Sequence, residues 1–412
     1  MTHSPFARSS RWAHSALCMK ARECRKPMRG GTIMIRLSQS VITLIALAPV
    51  FSACTQAPEA APPATDIDPA RYQVEIVAEG LATPWDMVFL PDGSALVSER
   101  NGGVKWLRNG SLSDVEGGPE DVFAEGQAGL FDLALSPDFA TNGLVYLSYA
   151  SGTAEANTPA LYRARFDNGA LMDGETLFRA EPMRGTNAHY GARLAFLPDG
   201  TLLMTAGEGF AYREQAQVRT NHLGALLRLN PDGGAPADNP FFEEGGLAAY
   251  VYSYGHRNMQ GIALDDATGA IWTHEHGPRG GDELNRIVPG DNYGWPIATM
   301  GMDYNGARIS PFFDHDGFHA PEWVWTPSIA PSGMTLYDGD LFGEWQGDLL
   351  VSALAGQALH RLDVENGVVV SEERLLSERG QRIRQVLNGP DGAIWLLAES
   401  PEGQILRLTP AD

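Results

Sequence analysis

Pro91-Asp92-Gly93 leads into Ala95-Leu96-Val97-Ser98, a short apolar segment that ends in a small polar residue. Proline presets the dihedral that begins a tight turn and glycine supplies the positive dihedral that completes it, so this tripeptide predicts a hairpin before a strand. The arrangement occurs six times along the chain, with second strands predicted at 95–98, 144–148, 202–205, 270–273, 349–352 and 393–396. Repetition of one hairpin predicts a repeat architecture.

The spacing of the hairpins indicates which architecture. They lie roughly 44 to 79 residues apart, as four-stranded blades with insertions in the middle of the chain require. Six hairpins therefore predict an all-β fold, a six-bladed β-propeller. Residues 72–79 and 404–408 have the pattern of strands and would be lone edges unless they pair in one blade and close the ring. A β-sandwich with a second β domain is the alternative, and a short helix is expected at 219–226.

Residues 1–53 have the pattern of an export signal. A basic segment up to Arg36 precedes an apolar run at 41–51, and this order is typical of secretory signals. A start at Met34 instead of Met1 would give a signal of ordinary length. We therefore exclude this region from the predicted fold.

Cys54 begins the next region. The small residues before it resemble a bacterial lipoprotein cleavage site, so we expect a periplasmic protein anchored to the outer membrane by a lipid on Cys54. Cleavage of an ordinary signal nearby is the alternative. Residues 54–69, rich in alanine and proline, predict a flexible tether, and 70–412 form the predicted catalytic propeller.

Composition excludes several kinds of partner and site. No cysteine follows Cys54, so the predicted propeller has neither disulfides nor thiolate metal ligands. The formal net charge of −21 argues against a nucleic-acid partner, because the phosphate backbone repels an acidic protein. A lipid on the N-terminus is the one membrane contact that we expect.

Ligands of propellers usually bind over the central channel, where loops from all the blades meet. Residues that follow the second strands, and residues that lead into the first strands, should face that opening. They comprise Glu99-Arg100, Gly126-Gln127, His189-Tyr190-Gly191, Gly207-Glu208-Gly209, His274-Glu275-His276-Gly277, Arg382-Ile383-Arg384 and Glu399. Charged groups that meet there from different blades predict a binding site.

Several of these segments resemble one known family. They are Gly126-Gln127-Ala128-Gly129-Leu130-Phe131, His189-Tyr190-Gly191-Ala192-Arg193-Leu194, Tyr254-Gly255-His256-Arg257-Asn258, Gly277-Pro278 with Asp282-Glu283, Asn292-Tyr293-Gly294-Trp295-Pro296 and Arg382-Ile383-Arg384. In order and composition they resemble the soluble aldose sugar dehydrogenases, six-bladed propellers that use pyrroloquinoline quinone (PQQ) and calcium. The resemblance implies oxidation of an aldose at its anomeric carbon to the lactone, with hydride transfer to the quinone C5.

The resemblance also implies roles for individual residues. His189 matches the general base, and an imidazole pKa near ~6.5 suits proton transfer at neutral pH. Arg257 and Asn258 match residues that hold the quinone oxygens, where a fixed guanidinium stabilises developing negative charge. Gln127 and Tyr304 match further contacts to the quinone.

Arg382 and Arg384 match arginines that hold the carboxylates of PQQ. Residues two apart on a strand share a face, and the guanidinium fork binds carboxylates well. Surface ion pairs with Glu372, Glu373 or Glu378 are the alternative role of these two arginines.

Calcium is the metal that the resemblance implies, and hard cations take oxygen ligands. The backbone carbonyls of Gly277-Pro278 match the ligands of one ion. The Glu283 side chain and the Tyr293 carbonyl match those of a second. His274 and His276 suggest zinc as an alternative, although no third ligand is evident.

Two departures from the family bear on the site. A lysine that glucose dehydrogenase carries near the cofactor is missing from residues 350–359, so contacts to the quinone carboxylates must differ. The loops at 210–213 and 306–319, which would set the choice of sugar, differ as well. The natural sugar therefore does not follow from the sequence.

The expected partners are an aldose substrate and a separate electron acceptor. No Cys-x-x-Cys-His motif is present to attach a haem, so electrons should leave to another carrier. A calcium-dependent lactonase-type hydrolase and a non-catalytic sugar-binding propeller are the alternative functions. The protein is expected to be a monomer or a dimer.

Overall fold

Residues 62–411 are described by the computed structural model, and they form an all-β propeller of six blades. Each blade is a sheet built around a four-stranded antiparallel meander. The innermost strand of each blade packs against the innermost strands of its two neighbours, so the ring is closed. The predicted fold class is confirmed, whereas the signal region 1–53 and residues 54–61 of the tether, including Cys54, lie outside the described residues.

The chain starts with two strands that belong to later blades, β1 (Thr65–Asp66) and β2 (Tyr72–Leu81). Blade 1 consists of β3 (Pro84–Phe89), β4 (Ala95–Glu99), β5 (Val104–Arg108) and β6 (Ser111–Asp114). Blade 2 consists of β7 (Leu130–Leu135), β8 (Leu144–Gly152), β9 (Asn157–Asp167) and β10 (Ala170–Arg179). Blade 3 consists of β11 (Gly191–Phe196), β12 (Leu202–Ala206), β13 (Ala225–Leu229) and β14 (Val251–Tyr254).

The second half of the ring follows the same order. Blade 4 consists of β15 (Met259–Asp265), β16 (Ala270–Glu275), β17 (Asp282–Arg286) and β18 (Trp323–Trp325). Blade 5 consists of β19 (Pro331–Leu336), β20 (Leu349–Ala353), β21 (Leu359–Glu365) and β22 (Val368–Leu375). Blade 6 consists of β23 (Ile383–Asn388), β24 (Ile394–Ala398) and β25 (Gly403–Pro410), completed by β2.

Helices are few in the described residues. One short α-helix, α1 (Phe139–Asn142), lies between β7 and β8. Short 3-10 helices occur at Pro69–Arg71, Arg213–Gln217, Phe242–Glu244, Gly246–Tyr250, Gly343–Trp345 and Ser377–Arg379. None of these helices is long and apolar enough to cross a membrane. The short helix expected at 219–226 is wrong, because Gly224 takes a φ of +69° and the chain enters β13 directly.

The two ends of the chain meet in blade 6. Strand β2 pairs antiparallel with β25, from Tyr72 opposite Pro410 to Leu81 opposite Gly403, which confirms the predicted closure. Strand β1 pairs in parallel with β22 and adds a fifth strand to blade 5. The last residues of the predicted tether are therefore held on the propeller, which begins before the expected boundary at residue 70.

The hydrophobic core is divided among the junctions between blades. A cluster of buried apolar side chains lies at each of the six junctions. Leu96 of blade 1, for example, packs with Val145 of blade 2, and Leu397 of blade 6 packs with Met87 of blade 1. Each blade thus buries its two faces against its neighbours, and a single blade would have no core of its own.

Each innermost strand departs from regular pairing near its start. A shift of register separates it from the second strand in all six blades. In four blades a hydroxyl of the second strand accepts the N–H group of the displaced residue: Ser98 from Asp86 (3.0 Å), Ser148 from Asp132 (3.0 Å), Thr205 from Arg193 (2.9 Å) and Ser352 from Gly333 (2.8 Å). The small polar residues of the sequence repeat are therefore the partners of β-bulges.

The bulges turn polar side chains into the channel. Asp132 accepts hydrogen bonds from Arg193 Nη1 at 2.8 Å and from the Leu194 N–H at 2.6 Å. Arg193 Nε donates to the Gln260 carbonyl oxygen at 2.7 Å, so this ion pair connects blades 2, 3 and 4. Burial and the nearby Asp86 carboxylate raise the pKa of Asp132 well above its usual range, and Arg193 opposes that rise.

Arg193→Ala should destabilise the propeller strongly, because it leaves the buried Asp132 carboxylate without its cation. We expect the free energy of unfolding in urea to fall by about 3–5 kcal/mol. Arg163→Ala is the control, since its ion pair with Glu175 is partly exposed and should contribute about 0–1 kcal/mol. A loss no larger than that of the control would show that the channel pair does not hold the blades.

Candidate functional site

A cavity of about 280 Å3 opens where the channel meets the loops. All six blades contribute to its wall, as expected for a ligand site of a propeller. Its lining residues are Trp85, Arg100, Gln127, Phe131, Tyr190, Gly191, Asn258, Gln260, His276, Ala330, Leu354, Arg382, Arg384 and Glu399. Gln127, Asn258, Arg382 and Arg384 were predicted as site residues, whereas His189 and Arg257 lie beside the cavity, each next in sequence to a lining residue.

His189 is held in place by residues of two blades. Its backbone N–H donates to Gln127 Oε1 at 2.8 Å, and its Nδ1 lies 3.0 Å from Glu208 Oε1. Its φ of +55° is unusual for a residue with a side chain, and Gly207 packs so closely on its carbonyl that no Cβ fits there. A carboxylate at Nδ1 favours a proton on that nitrogen, which leaves Nε2 as the basic atom.

The electrostatic surroundings keep this imidazole neutral. Burial lowers the pKa of His189, and the charges of Arg257 and Arg184 lower it further. The hydrogen bond and negative charge of Glu208 act in the opposite direction. At neutral pH the ring is therefore unprotonated and can accept a proton, as a general base must.

Arg257 lies between blades 3 and 4 and is fixed at both ends. Its backbone N–H donates to Glu275 Oε2, and its Nη1 donates to the carbonyl oxygens of His276 (2.8 Å) and Gly277 (3.0 Å). Its Nη2 lies 3.5 Å from the Tyr304 hydroxyl. The guanidinium is thus positioned before any ligand arrives.

His256, which precedes Arg257, has a structural role. Its Nδ1 lies 3.0 Å from Glu275 Oε1, its Nε2 lies 2.9 Å from Ser253 Oγ, and its ring stacks on Tyr293 with centroids 4.4 Å apart. Asn258, which follows, accepts the Gly191 N–H at 3.1 Å through its side-chain oxygen. Because that oxygen is engaged, the Asn258 amide group is left to donate to the cavity.

Arg382 and Arg384 both reach the cavity, and they share one carboxylate. Arg382 Nη2 lies 2.9 Å from Glu399 Oε1, and Arg384 bonds the other oxygen of Glu399. Their ion pairs with Glu372, Glu373 or Glu378, the alternative from sequence, are not formed. Burial lowers the pKa of Arg384 to about 10, so the guanidinium remains charged at neutral pH.

Arg100 is a third arginine at the cavity, and the sequence indicated only that it lies at the rim. Its backbone is held close to Gly129, where a Cβ would collide with the Arg100 carbonyl oxygen, and the Leu130 N–H donates to that oxygen at 3.1 Å. Within residues 62–411 no carboxylate lies within ion-pair distance of its side chain. Trp85, which also lines the cavity, had no signal in the sequence.

The predicted calcium ligands are divided between two places. The Gly277 carbonyl oxygen, together with that of His276, faces the guanidinium of Arg257, so this carbonyl pair already binds a cationic group. Glu283 is paired across the sheet with Glu275 instead, and burial together with the Glu275 charge raises the pKa of Glu283 well above its usual range. The Tyr293 ring stacks on His256, whose Nδ1 lies 3.0 Å from Glu275 Oε1.

The described residues contain no group of three or more His, Cys, Asp or Glu side chains placed to hold a metal ion. The zinc alternative at His274 and His276 is therefore unsupported. His276 Nε2 lies 2.7 Å from the Pro331 carbonyl oxygen, and burial lowers the pKa of His276 to about 3. A calcium site here would have to draw mainly on backbone carbonyls.

The fold and the site together define a propeller enzyme with a neutral histidine and a cationic cavity at the mouth of its channel. Residues 81–407 match the family model of Glucose / Sorbosone dehydrogenase, and the chain belongs to that family. It is accordingly an oxidoreductase of the sugar dehydrogenase type.

Named relatives agree with this assignment. Aldose sugar dehydrogenase YliI from Escherichia coli is 39% identical over 349 residues, which cover 83% of this chain and 94% of the relative. Quinoprotein glucose dehydrogenase B from Acinetobacter calcoaceticus is 25% identical over 81% of this chain and 87% of the relative. The likeness therefore extends over most of both proteins.

Solved structures are similar as well. The soluble aldose sugar dehydrogenase of Escherichia coli in its apo-form is 38% identical with a TM-score of 0.79, covering 82% of this chain and 99% of that one. The PQQ-bound form of aldose sugar dehydrogenase from Streptomyces coelicolor is 30% identical with a TM-score of 0.68, covering 83% of this chain and all of that one. At 38% and 30% identity, both structures are similar to this chain in sequence as well as in fold.

His189 should titrate below the ordinary imidazole value of about 6.5 in the free protein. Glu208→Gln should lower the pKa further, because the carboxylate that favours the imidazolium is replaced by a neutral amide. Proton NMR of the imidazole signals against pH measures both values, with His189→Ala used to assign the resonance. A rise of the pKa in Glu208→Gln would contradict the proposed pairing.

Proposed function

We propose that this protein oxidises aldose sugars at the anomeric carbon to the corresponding lactones, with PQQ as hydride acceptor and calcium as a second cofactor. The cationic cavity beside a neutral His189 carries the proposal. Three arginines, Arg100, Arg382 and Arg384, line a cavity whose one lining carboxylate is that of Glu399. The surplus of positive charge suits a polycarboxylate ligand.

The residues present fit PQQ. Arg382, Arg384 and Arg100 would hold its carboxylates, and Arg257, Asn258 and Gln127 its quinone end, with Tyr304 beside Arg257. When bound, PQQ supplies the quinone that accepts the hydride. The structure of the PQQ-bound relative from Streptomyces coelicolor supports this choice of cofactor.

The chain itself supplies the proton chemistry. His189 Nε2 accepts the proton of the anomeric hydroxyl as that carbon loses its hydride, and Glu208 stabilises the imidazolium that results. Arg257 places a fixed positive charge where negative charge develops, so it favours the transition state over the ground state. Glu275 contributes indirectly by fixing the Arg257 backbone.

Calcium fits the carbonyl oxygens of the loop after β16. The Gly277 oxygen accepts Arg257 Nη1 at 3.0 Å with one lone pair and keeps the other for an ion, and the Pro278 carbonyl follows in the same loop. These backbone oxygens are the hard donors that calcium prefers. The second ion is proposed at the Glu283 side chain and the Tyr293 carbonyl, where Glu283 lies opposite Glu275 across the sheet and a cation would offset the two negative charges.

We extend the proposal to the protein's place in the cell. Export through the signal at 1–53, with a lipid on Cys54, would set the enzyme in the periplasm on the outer membrane. Electrons would then leave to a separate acceptor. Support for both comes from the sequence alone, since these residues lie outside the described part.

Adding PQQ and calcium to purified apoprotein should produce aldose-dependent reduction of an electron-accepting dye. A chelator should lower this activity, and added calcium should restore it. Absence of PQQ binding and of dye reduction with every aldose tried would overturn the proposal. Binding of sugar without turnover would favour a non-catalytic propeller, and hydrolysis of lactones without PQQ would favour the hydrolase.

His189→Ala should lose about 10²- to 10⁴-fold in turnover, the usual contribution of a general base. The variant should still bind PQQ, because the arginines of the cavity are unchanged. Single-turnover reduction after direct measurement of PQQ binding separates the two effects. Unchanged turnover with full PQQ occupancy would exclude His189 as the base.

Arg100→Ala should weaken PQQ binding to the apoprotein about 10- to 100-fold, the effect of losing one charged hydrogen bond. Equilibrium dialysis measures the Kd without any turnover. Arg108→Ala on the same blade is the matched control, since its guanidinium stacks on Trp106 outside the cavity. An equal Kd for the Arg100 variant and the control would show that Arg100 does not hold the cofactor.

A further inference from the structure

Phe210, just after β12, has a backbone conformation that few residues of its size adopt. Its φ is +66°, and the Ala211 N–H donates to the Gly209 carbonyl oxygen at 2.7 Å across it. These values define a three-residue γ-turn of the strained, positive-φ kind. Strain of this type persists only where surrounding structure enforces it, and it is often found at functional sites.

The turn is tied to the segment that carries His189. Gly209 donates its N–H to the His189 carbonyl oxygen at 3.3 Å, and its own carbonyl oxygen accepts the Thr186 hydroxyl at 2.8 Å. The Phe210 ring consequently lies edge-on to the His189 imidazole, with centroids 5.1 Å apart. The Phe210 ring therefore borders the His189 imidazole directly.

The Phe210 ring contributes little to the stability of the fold, because 47% of the residue remains exposed. Tyr304 is 58% exposed and lies next to it, with ring centroids 6.3 Å apart and planes 31° from parallel. An ion pair between Arg213 and Asp303, 3.4 Å long, joins the two loops. The two rings thus connect the His189 imidazole, which lies beside Phe210, with the Arg257 guanidinium, whose Nη2 lies 3.5 Å from the Tyr304 hydroxyl.

We infer that Phe210 is a substrate-positioning residue whose ring packs against the apolar C–H face of a cyclic aldose. The inference rests on the proposed function. A sugar ring presents C–H groups on its faces and hydroxyls at its edge, so an aromatic surface holds the face while polar groups bind the edge. With its face on Phe210, the sugar has an edge toward His189, where the anomeric hydroxyl must lie.

Phe210→Gly tests the role and the strain together. Glycine adopts the positive φ without strain, so the midpoint of thermal unfolding should stay equal or rise. The KM for glucose should rise about three- to tenfold, with a smaller change in kcat, since the ring holds the sugar without taking part in the chemistry. Phe210→Tyr should restore the KM, because it returns an aromatic face.

The controls separate this inference from the proposed function. Leu341→Ala removes a similarly exposed apolar side chain from another blade and should leave the KM unchanged. The Kd for PQQ, measured on each apoprotein, should be the same in all variants. An unchanged KM in Phe210→Gly, with wild-type activity present, would overturn the inference alone. Absence of activity in the wild type with every aldose would overturn both.

Discussion

The buried ion pair between Arg193 and Asp132 is the interaction on which the centre of the propeller depends. Six inner strands converge on one channel, and their bulges leave backbone groups that regular pairing cannot satisfy. Asp132 accepts from both the Arg193 side chain and the Leu194 backbone, and Arg193 donates onward to Gln260. An apolar channel could not satisfy these groups, so buried charge follows from the convergence of the strands.

Carboxylates that bind backbone N–H groups also shape the mouth of the channel. Glu275 accepts the Arg257 N–H, and Asp282 accepts the N–H groups of Gly277, Ile329 and Ala330. Burial raises the pKa of Asp282 to about 6 even though these donors act against the rise. The loops of the mouth are therefore held by acceptors from neighbouring strands. Such loops can present reactive groups in fixed positions without regular secondary structure of their own.

The fold followed from the sequence because its signal is local and repeated. Each repeat consists of a turn, an apolar strand and a small polar residue within a few consecutive positions. Ser98 and Thr205 are such small polar residues in two different blades.

The site was predictable only in part. Pairing of His189 with Glu208, and of two arginines with Glu399, depends on which loops the ring brings together. Strand β1 was not predicted, because a strand of two residues is too short to show an alternating pattern.

Glucose dehydrogenase carries a lysine near its cofactor, and residues 350–359 of this chain contain none. The arginines of the cavity can supply positive charge in its place. Arg382 and Arg384 hold the pKa of Glu399 below its usual range, although burial alone would raise it, so this carboxylate is ionised and offsets one of them. Arg100 adds positive charge from blade 1 without bringing a carboxylate. A lysine in 350–359 would come from blade 5, on the other side of blade 6. Because every blade reaches one mouth, a cation can be supplied to the same cavity from a different blade.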